Sequence, residues 1–528
     1  MKQRKATKQF LIAFTLLAAM VVQACSGGGN GGGNHTPAAT KAPEASTQPS
    51  ATEGTEELKP YEVSITYHAT PERDVALVEE KLNEYFKEKI NATVKLNPIA
   101  SSEYKQKTEL MMNSAEKMDL VFSASWLDFY SNVTKGAFLE LDELLEQYGQ
   151  GIKEQLNPMY LEAPRMDGKL YAVPTNKEIT QARALSFRKD IVDKYKIPLE
   201  TIKTKADLEP WLKVIKENEP DIIPNFVAGG SGGSGDGVRY EDDGRFLPIG
   251  PTPGSTAMFF FNPTQDKIDI MDALNPEIVA INNAANELAR RWYELGYTNG
   301  DAATSKTLVL ELRREGKTWY QETSWKPGTD IEMSNTTNNE YEFVSNVLNE
   351  PYVTTDLTTG SMFAIARTSK DPARAMMVLN AMHTDPYVIN LLVQGIEGVH
   401  YTKVGENRIE SIADSGYGTS GLFWVLGNQM INYLKPGQPD DYYTNWIKFN
   451  DEAKRSPLLG FVFNDSNVKN EVTQLTAIAT EYKMITTGAI ANPVKLLEER
   501  NKKLQDAGIE KVRAEIQSQV DAWLAAKQ

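Results

Sequence analysis

The stretch YEVSITYHATPERDVALVEEKLNEYFKEKINATVKLNPIASSEYKQKTELMMNSAEKMDLVFSAS, residues 61–125, decides the fold. Residues 61–66 (YEVSIT) alternate and are β-branched, which predicts a strand. Thr70 and Pro71 have the chemistry of an N-cap and a first-turn proline. The helix they would open carries Val75, Val78, Leu82, Tyr85 and Phe86 on one face and ends near Ile90. Residues 92–99 (ATVKLNPI) predict a second strand, residues 102–113 a second helix and residues 119–123 (DLVFS) a third strand. A β-α-β-α-β order implies a parallel sheet with helices on its faces. Ligands of such sheets sit beyond the carboxyl ends of the strands, where the strand order reverses. Here those ends are residues 67–70 and 124–126, which hold His68, Ser125 and Trp126 as candidate contacts.

Further along, residues 138–148 predict a helix and residues 168–174 a strand. Residues 185–188 form an extended entry to a helix at 190–195, and residues 180–186 are the expected first passage between two lobes. Helices are expected at 208–217, 276–295 and 373–383, and a buried strand at 362–366. A helical stripe of Ile509, Val512, Ile516, Val520 and Trp523 runs nearly to the end of the chain. Residues 229–237 (GGSGGSGDG) predict a surface loop. Gly230, Gly232 and Gly235 match G-x-G-x-x-G, but no strand leads into them and Asp236, Asp242 and Asp243 follow, which would repel a phosphate. The acidic spacing there does not fit a calcium loop either.

The first 24 residues read as an export signal. Lys2, Arg4, Lys5 and Lys8 precede the apolar run 10–22, which is shorter than the roughly 20 apolar residues a spanning helix needs. Val22-Gln-Ala-Cys25 resembles a bacterial lipobox, which implies that Cys25, the only cysteine, carries a diacylglyceryl group and begins the mature chain. Residues 25–60 then form a Gly/Ser/Thr/Pro-rich leash, too poor in large apolar side chains to bury a core and expected to be disordered.

The 528 residues carry a formal net charge of −15, and loss of the signal, with four positive charges and no negative ones, takes it to −19. An acidic body argues against nucleic acid and against direct contact with anionic membrane. The four histidines lie at no metal-ligand spacing, so neither a metal nor a cofactor is expected.

Gly136-Ala-Phe-Leu-Glu-Leu-Asp142, Asp167-Gly-Lys-Leu-Tyr-Ala-Val-Pro174 and Phe187-Arg-Lys-Asp190 resemble signature stretches of the oligosaccharide-binding branch of extracellular solute-binding lipoproteins of ABC importers. Arg291-Trp-Tyr-Glu-Leu-Gly-Tyr297, Thr368-Ser-Lys370, Gly395-Ile-Glu-Gly-Val-His-Tyr401 and Leu504-Gln-Asp-Ala-Gly508 are similar to LipO-type members, which end in a domain of unknown function. The resemblance implies a bilobed class II periplasmic-binding-protein fold, α/β in both lobes, joined by hinge crossovers. One lobe would be residues 61–180 with 346–414, the other 181–345 with 415–528. It further implies a non-catalytic, monomeric receptor held to the outer face of the membrane through its lipid alone. Its partners would be an oligosaccharide and the permease subunits of an ABC transporter.

A sugar site pairs planar hydrogen-bonding groups with aromatic faces. Among 8 Trp and 22 Tyr, position singles out Trp126 at a strand end, Trp325 in a Gly/Pro/Thr-rich loop and Trp424 after Gly421. The ordinary alternative for each is a half-buried packing role; Trp211, Trp292 and Trp523 fall on helical apolar faces and read as core. Glu397 and His400 lie in a glycine-containing turn, where exposure to ligand and support of the loop are equally reasonable. Asn176 and Glu178 follow a strand end just before the first crossover. Two rivals remain open on sequence: an extracellular carbohydrate-active enzyme using two of the 71 acidic residues, and a receptor of the same fold for peptide or another solute, or a sensor partner.

Overall fold

β1 (Tyr61–His68) lies between two parallel neighbours, β2 (Ala92–Ile99) and β3 (Leu120–Ser123). The computed structural model that gives this arrangement describes residues 58–228, 245–251, 257–337, 339–418 and 421–527. The expected signal, Cys25, the leash, and the glycine-rich loop with its acidic neighbours lie outside them. α1 (Val75–Ile90) connects β1 to β2, and α2 (Ser101–Asn113) connects β2 to β3. Because β1 is central and the chain leaves it first to one side and then to the other, the strand order reverses at β1 and β3. Pro98 is tolerated because β2 is the edge of the sheet, where a missing N–H removes no ladder bond.

α1 buries Val78, Leu82 and Phe86 and ends at Asn91 in the left-handed region, with Lys87 and Lys89 in its last turn. It starts at Val75, later than the expected Thr70–Pro71 cap, for a tertiary reason. Asp74 donates its backbone N–H to Gly416 O at 3.1 Å, and Glu72 accepts from Gly418 N at 3.3 Å. These contacts hold the approach to α1 extended against a distant loop.

The strand Met362–Ile365 pairs antiparallel with β3, and Val173–Pro174 pairs antiparallel with it in turn, giving a five-stranded mixed sheet. The expected strand at 168–174 is broken: Lys169–Leu170 forms a hairpin with Arg165–Met166, and only Val173–Pro174 joins the sheet. The expected helix from Phe138 begins at Asp142, since Phe138 instead bridges to Ala366.

The second lobe has its own antiparallel sheet, in the order Tyr320–Trp325, Ala182–Arg188, Phe343–Val347. Leu185 and Phe187 project from its central strand into a core with Leu212, Ile215, Trp292 and Trp319. Residues 175–181 cross from one sheet to the other, earlier than the expected passage at 180–186, because the backbone of 182–188 already pairs on both sides in the second sheet. Tyr417, Leu422, Val425 and Leu426, assigned by sequence to the second lobe, pack with Tyr67, Leu392 and Val393 in the first-lobe core. The division of the chain by core contacts therefore falls later than Asp414.

The C-terminal helices Lys469–Tyr482, Pro493–Asp506 and Ile509–Lys527 form a third core with an inserted sheet, Leu247–Pro248, Phe259–Phe261 and Met271–Asp272. The stripe read from sequence is its centre: Ile509, Val512, Ile516 and Val520 are fully buried. Gln517 locks insert to helix, accepting from Ile270 N at 2.8 Å and donating to Ile268 O at 3.0 Å. Ile516→Val is expected to lower the stability of this part by about 0.5–1.5 kcal/mol through loss of one buried methylene. A urea titration followed by hydrogen exchange in residues 457–525 measures it, and an unchanged midpoint would refute the packing assigned to Ile516. No helix among the described residues is long and apolar enough to cross a membrane.

Candidate functional site

His68 ends β1, and Ser125 and Trp126 follow β3, so both reach the edge of the sheet where the strand order reverses. The two rings meet edge-on with centroids 5.5 Å apart. Trp424, some 300 residues further along, joins them at 5.7 Å from His68 and 6.4 Å from Trp126, its plane inclined 42° to that of Trp126. Phe122 and Tyr104 lie beneath, each within 6.0 Å of His68. Tyr104, on a helix stretch that sequence alone would put at the surface, is buried; its hydroxyl donates to Phe122 O at 2.7 Å. The top of the cluster is open: Trp126 keeps 49% of its surface exposed, and Trp424 and His68 are half-buried.

Trp126 is oriented by its indole N–H, which donates to Gly360 O at 2.8 Å. Burial among the rings pulls the His68 imidazole below its ordinary range, so it stands neutral near pH 7 with one N–H donor and one acceptor. Two inclined indole faces beside a neutral imidazole suit a ligand with apolar ring faces and hydroxyl edges. Ser125 is half-buried at the same edge, and its backbone N–H is taken by Thr359 O.

Asn176 and Glu178 sit on the crossover. Asn176 is a structural tie: its side chain donates to Gln155 O, its N–H to Gly427 O, and its carbonyl accepts from Gln429 N. Glu178 is buried with its charge. Lys177 Nζ lies 3.3 Å from Oε1 and Lys326 Nζ 3.6 Å from Oε2, which has no hydrogen-bond partner. Burial pushes the Glu178 carboxyl up, and the two ammonium groups more than reverse that, leaving it below its ordinary range. Lys326 also pairs with Glu332 at 3.2 Å and lies 4.0 Å from the centre of the Trp446 ring. Trp325 stands beside this group against Phe449, rings 5.7 Å apart.

The helix Tyr442–Glu452 ties these parts together. Tyr442 donates to Glu332 at 2.6 Å and Trp446 to Pro327 O at 2.7 Å. Asn450 donates to Lys177 O and accepts from Ile179 N. Nothing in the sequence marked Tyr442, Trp446 or Lys326, because their meaning depends on elements more than 100 residues apart.

Glu397 and His400 stand apart from both groups. Glu397 is exposed and pairs with Lys403 at 3.4 Å. The His400 side chain is fully buried; Nδ1 accepts from Ile396 N at 2.8 Å, so Nε2 carries the proton and faces Asp74 at 3.4 Å. A Cβ at Gly395 would lie 2.4 Å from Nδ1, which accounts for glycine there. This is the loop-supporting use of the turn. Among the described residues no group of His, Cys, Asp and Glu is placed to hold a metal ion.

Residues 69–300 match the family of bacterial extracellular solute-binding proteins, and residues 457–525 match a domain of unknown function, DUF3502. A carbohydrate ABC transporter substrate-binding protein of Streptococcus pneumoniae serotype 4 is 28% identical over 454 residues, 84% of this chain and 87% of its own. The crystal structure of the N-glycan transport solute binding protein (NgtS) of Streptococcus pneumoniae matches with a TM-score of 0.76 and 26% identity, over 89% of this chain and 100% of that one. The same protein in complex with Man5GlcNAc matches with a TM-score of 0.69 and 26% identity, over 89% and 99% of the two chains.

Proposed function

We propose that this chain, which matches the bacterial extracellular solute-binding proteins over residues 69–300, captures an oligosaccharide outside the cell, between its two lobes, and delivers it to an ABC permease. Function is then affinity and closure, with no covalent step. The observation that carries this reading is the open cluster of Trp126, Trp424 and His68 at the reversal point of the first-lobe sheet. Sugar rings stack on the two indoles, while the imidazole and the half-buried Ser125 offer hydrogen bonds to hydroxyls. In this reading Trp325, half-buried at the end of a second-lobe strand, meets a longer ligand from the opposite side. Mannose and N-acetylglucosamine oligosaccharides are the first candidates, because Man5GlcNAc is bound by a structural neighbour at 26% identity. In this reading Cys25 carries the lipid anchor, the leash holds a monomeric body clear of the membrane, and Glu397 and His400 take no part in binding.

A thermal-shift screen of the mature chain against plant, host and bacterial oligosaccharides, with chromatography of each mixture, tests it. A ligand of the folded state alone, present at a hundred times its dissociation constant, adds about 2.7 kcal/mol of stability. The expected outcome is a raised melting temperature with the sugar recovered intact. A sugar returned cleaved would make the chain an enzyme, and a shift only with peptides would replace the ligand class.

A further inference from the structure

One turn, Thr359-Gly360-Ser361, which precedes the strand Met362–Ile365, bonds the Trp126 indole and the backbone of Trp424. Its three residues face both tryptophan loops. Thr359 O accepts from Ser125 N at 3.0 Å, and Gly360 O accepts from the Trp126 indole at 2.8 Å. Ser361 O accepts from Thr175 N at 2.9 Å, and Ser361 Oγ donates to the backbone carbonyl of Trp424 at 2.7 Å. Ser361 is 1% exposed and Thr175 2% exposed, so water does not compete for these groups.

The hydroxyl protons can be assigned by counting. Ser361 Oγ and Thr175 Oγ1 are 2.9 Å apart, and Thr175 Oγ1 also lies 3.2 Å from Val425 O. Each hydroxyl has one proton. Ser361 spends its own on Trp424 O, the shortest of the three contacts. Thr175 must then supply the proton between the hydroxyls, and the longer approach to Val425 O is the one left weak. The order is Thr175 Oγ–H to Ser361 Oγ–H to Trp424 O. Removing Thr175 leaves the last bond intact; removing Ser361 breaks it and leaves a carbonyl without its partner.

We propose that Ser361 is the positioning residue that sets the spacing and inclination of the Trp126–Trp424 pair for carbohydrate, acting from beneath the ligand without touching it. The proposal rests on the reading of that pair as a sugar platform, but the geometry it concerns exists without sugar. A single turn that grips both loops fixes one indole relative to the other, where two separate anchors would let them drift.

The experiment compares the full mature chain with S361A, S361T, T175V, W126A and W424A. Near-ultraviolet circular dichroism reads the coupled indoles, and calorimetry reads Man5GlcNAc binding. S361A is expected to lose the part of the spectrum that disappears in both W126A and W424A, and to bind the probe about tenfold more weakly. S361T, which keeps the hydroxyl, is expected to restore both, and T175V to leave both near wild type. A general loss of packing would move all aromatic bands and would not be rescued by threonine. A spectrum of S361A superimposable on wild type, or equal losses in S361A and T175V, would overturn the proposal. If S361A does not fold, S361C, close in volume and a weaker donor, carries the same comparison. If wild type ignores Man5GlcNAc or W424A binds it unchanged, the platform reading fails for this sugar, and the spectra still decide the role of Ser361.

Discussion

Glu178→Ala is expected to lower folding stability by roughly 3–5 kcal/mol, the usual effect of removing one partner of a buried ion pair. The reason lies in what remains. Lys177 and Lys326 keep side chains only 11% and 9% exposed, and without Glu178 they present two poorly solvated ammonium groups to one another. Glu332, 3.2 Å from Lys326, balances only one of them. The loss also reaches further than one site. Glu178 belongs to the crossover leaving the first sheet, whereas Lys326 directly follows a strand of the second, so the pair ties the two sheets together. Glu178→Gln keeps the volume but not the charge and should be nearly as harmful.

The same carboxylate gives acid sensitivity with a defined sign. Its folded-state value is held below the ordinary glutamate value of about 4.3, so its contribution is present above that value. It is lost as the pH falls through the depressed folded value. Urea midpoints at pH 7 and in mild acid, for wild type and Glu178→Gln, measure both effects. A wild type that loses stability in acid more steeply than the variant is expected. A loss below about 1 kcal/mol at pH 7 in Glu178→Ala would mean that the cluster is solvated and does not tie the sheets together.

Trp424→Ala is expected to weaken oligosaccharide binding at least tenfold, roughly 1.4 kcal/mol or more, and Trp126→Ala similarly. Each substitution removes one face of the inclined pair and the edge contact with His68. The two should be less than additive when combined, because the rings sit 6.4 Å apart and share one ligand face. Trp325→Ala separates short from long ligands: a disaccharide should bind it as it binds wild type, whereas a longer chain that spans the cleft should lose affinity. Calorimetry with oligosaccharides of graded length checks this. Equal affinity of wild type and Trp424→Ala for every ligand would remove the cluster from the site.

Local pattern made most of the first lobe legible. The alternation of residues 61–66, the apolar stripe of α1 and the β-branched run of β2 are short-range signals, and their order dictated parallel pairing and the position of the edge where the strand order reverses. His68, Ser125 and Trp126 followed from that placement. Trp424 was named on weaker grounds, as an aromatic after a glycine, and the structure brings it to the other two. The surroundings of Glu397 and His400 were not legible, because a glycine-rich turn looks alike whether it exposes its polar residues or packs them. The His400 ring is consumed by Ile396 N and Asp74, a partner more than 300 residues away. The late start of α1 has the same origin, since the loop that claims Glu72 and Asp74 lies near residue 416.

From sequence alone followed the α/β lobes, the C-terminal helical stripe and the edge of the first sheet where the strand order reverses. Each of these depends on spacing within a few turns of chain, where sterics and apolar periodicity act directly. Which candidate side chains become neighbours came from the folded chain. It gathered Trp424 to Trp126 and His68, turned Glu178 inward between two lysines, and bonded the buried Ser361 hydroxyl to the Trp424 carbonyl. Those outcomes depend on contacts between distant segments, from Ser361 with Trp424 to His68 with Trp424, and no local periodicity encodes which distant carbonyl a buried hydroxyl will meet.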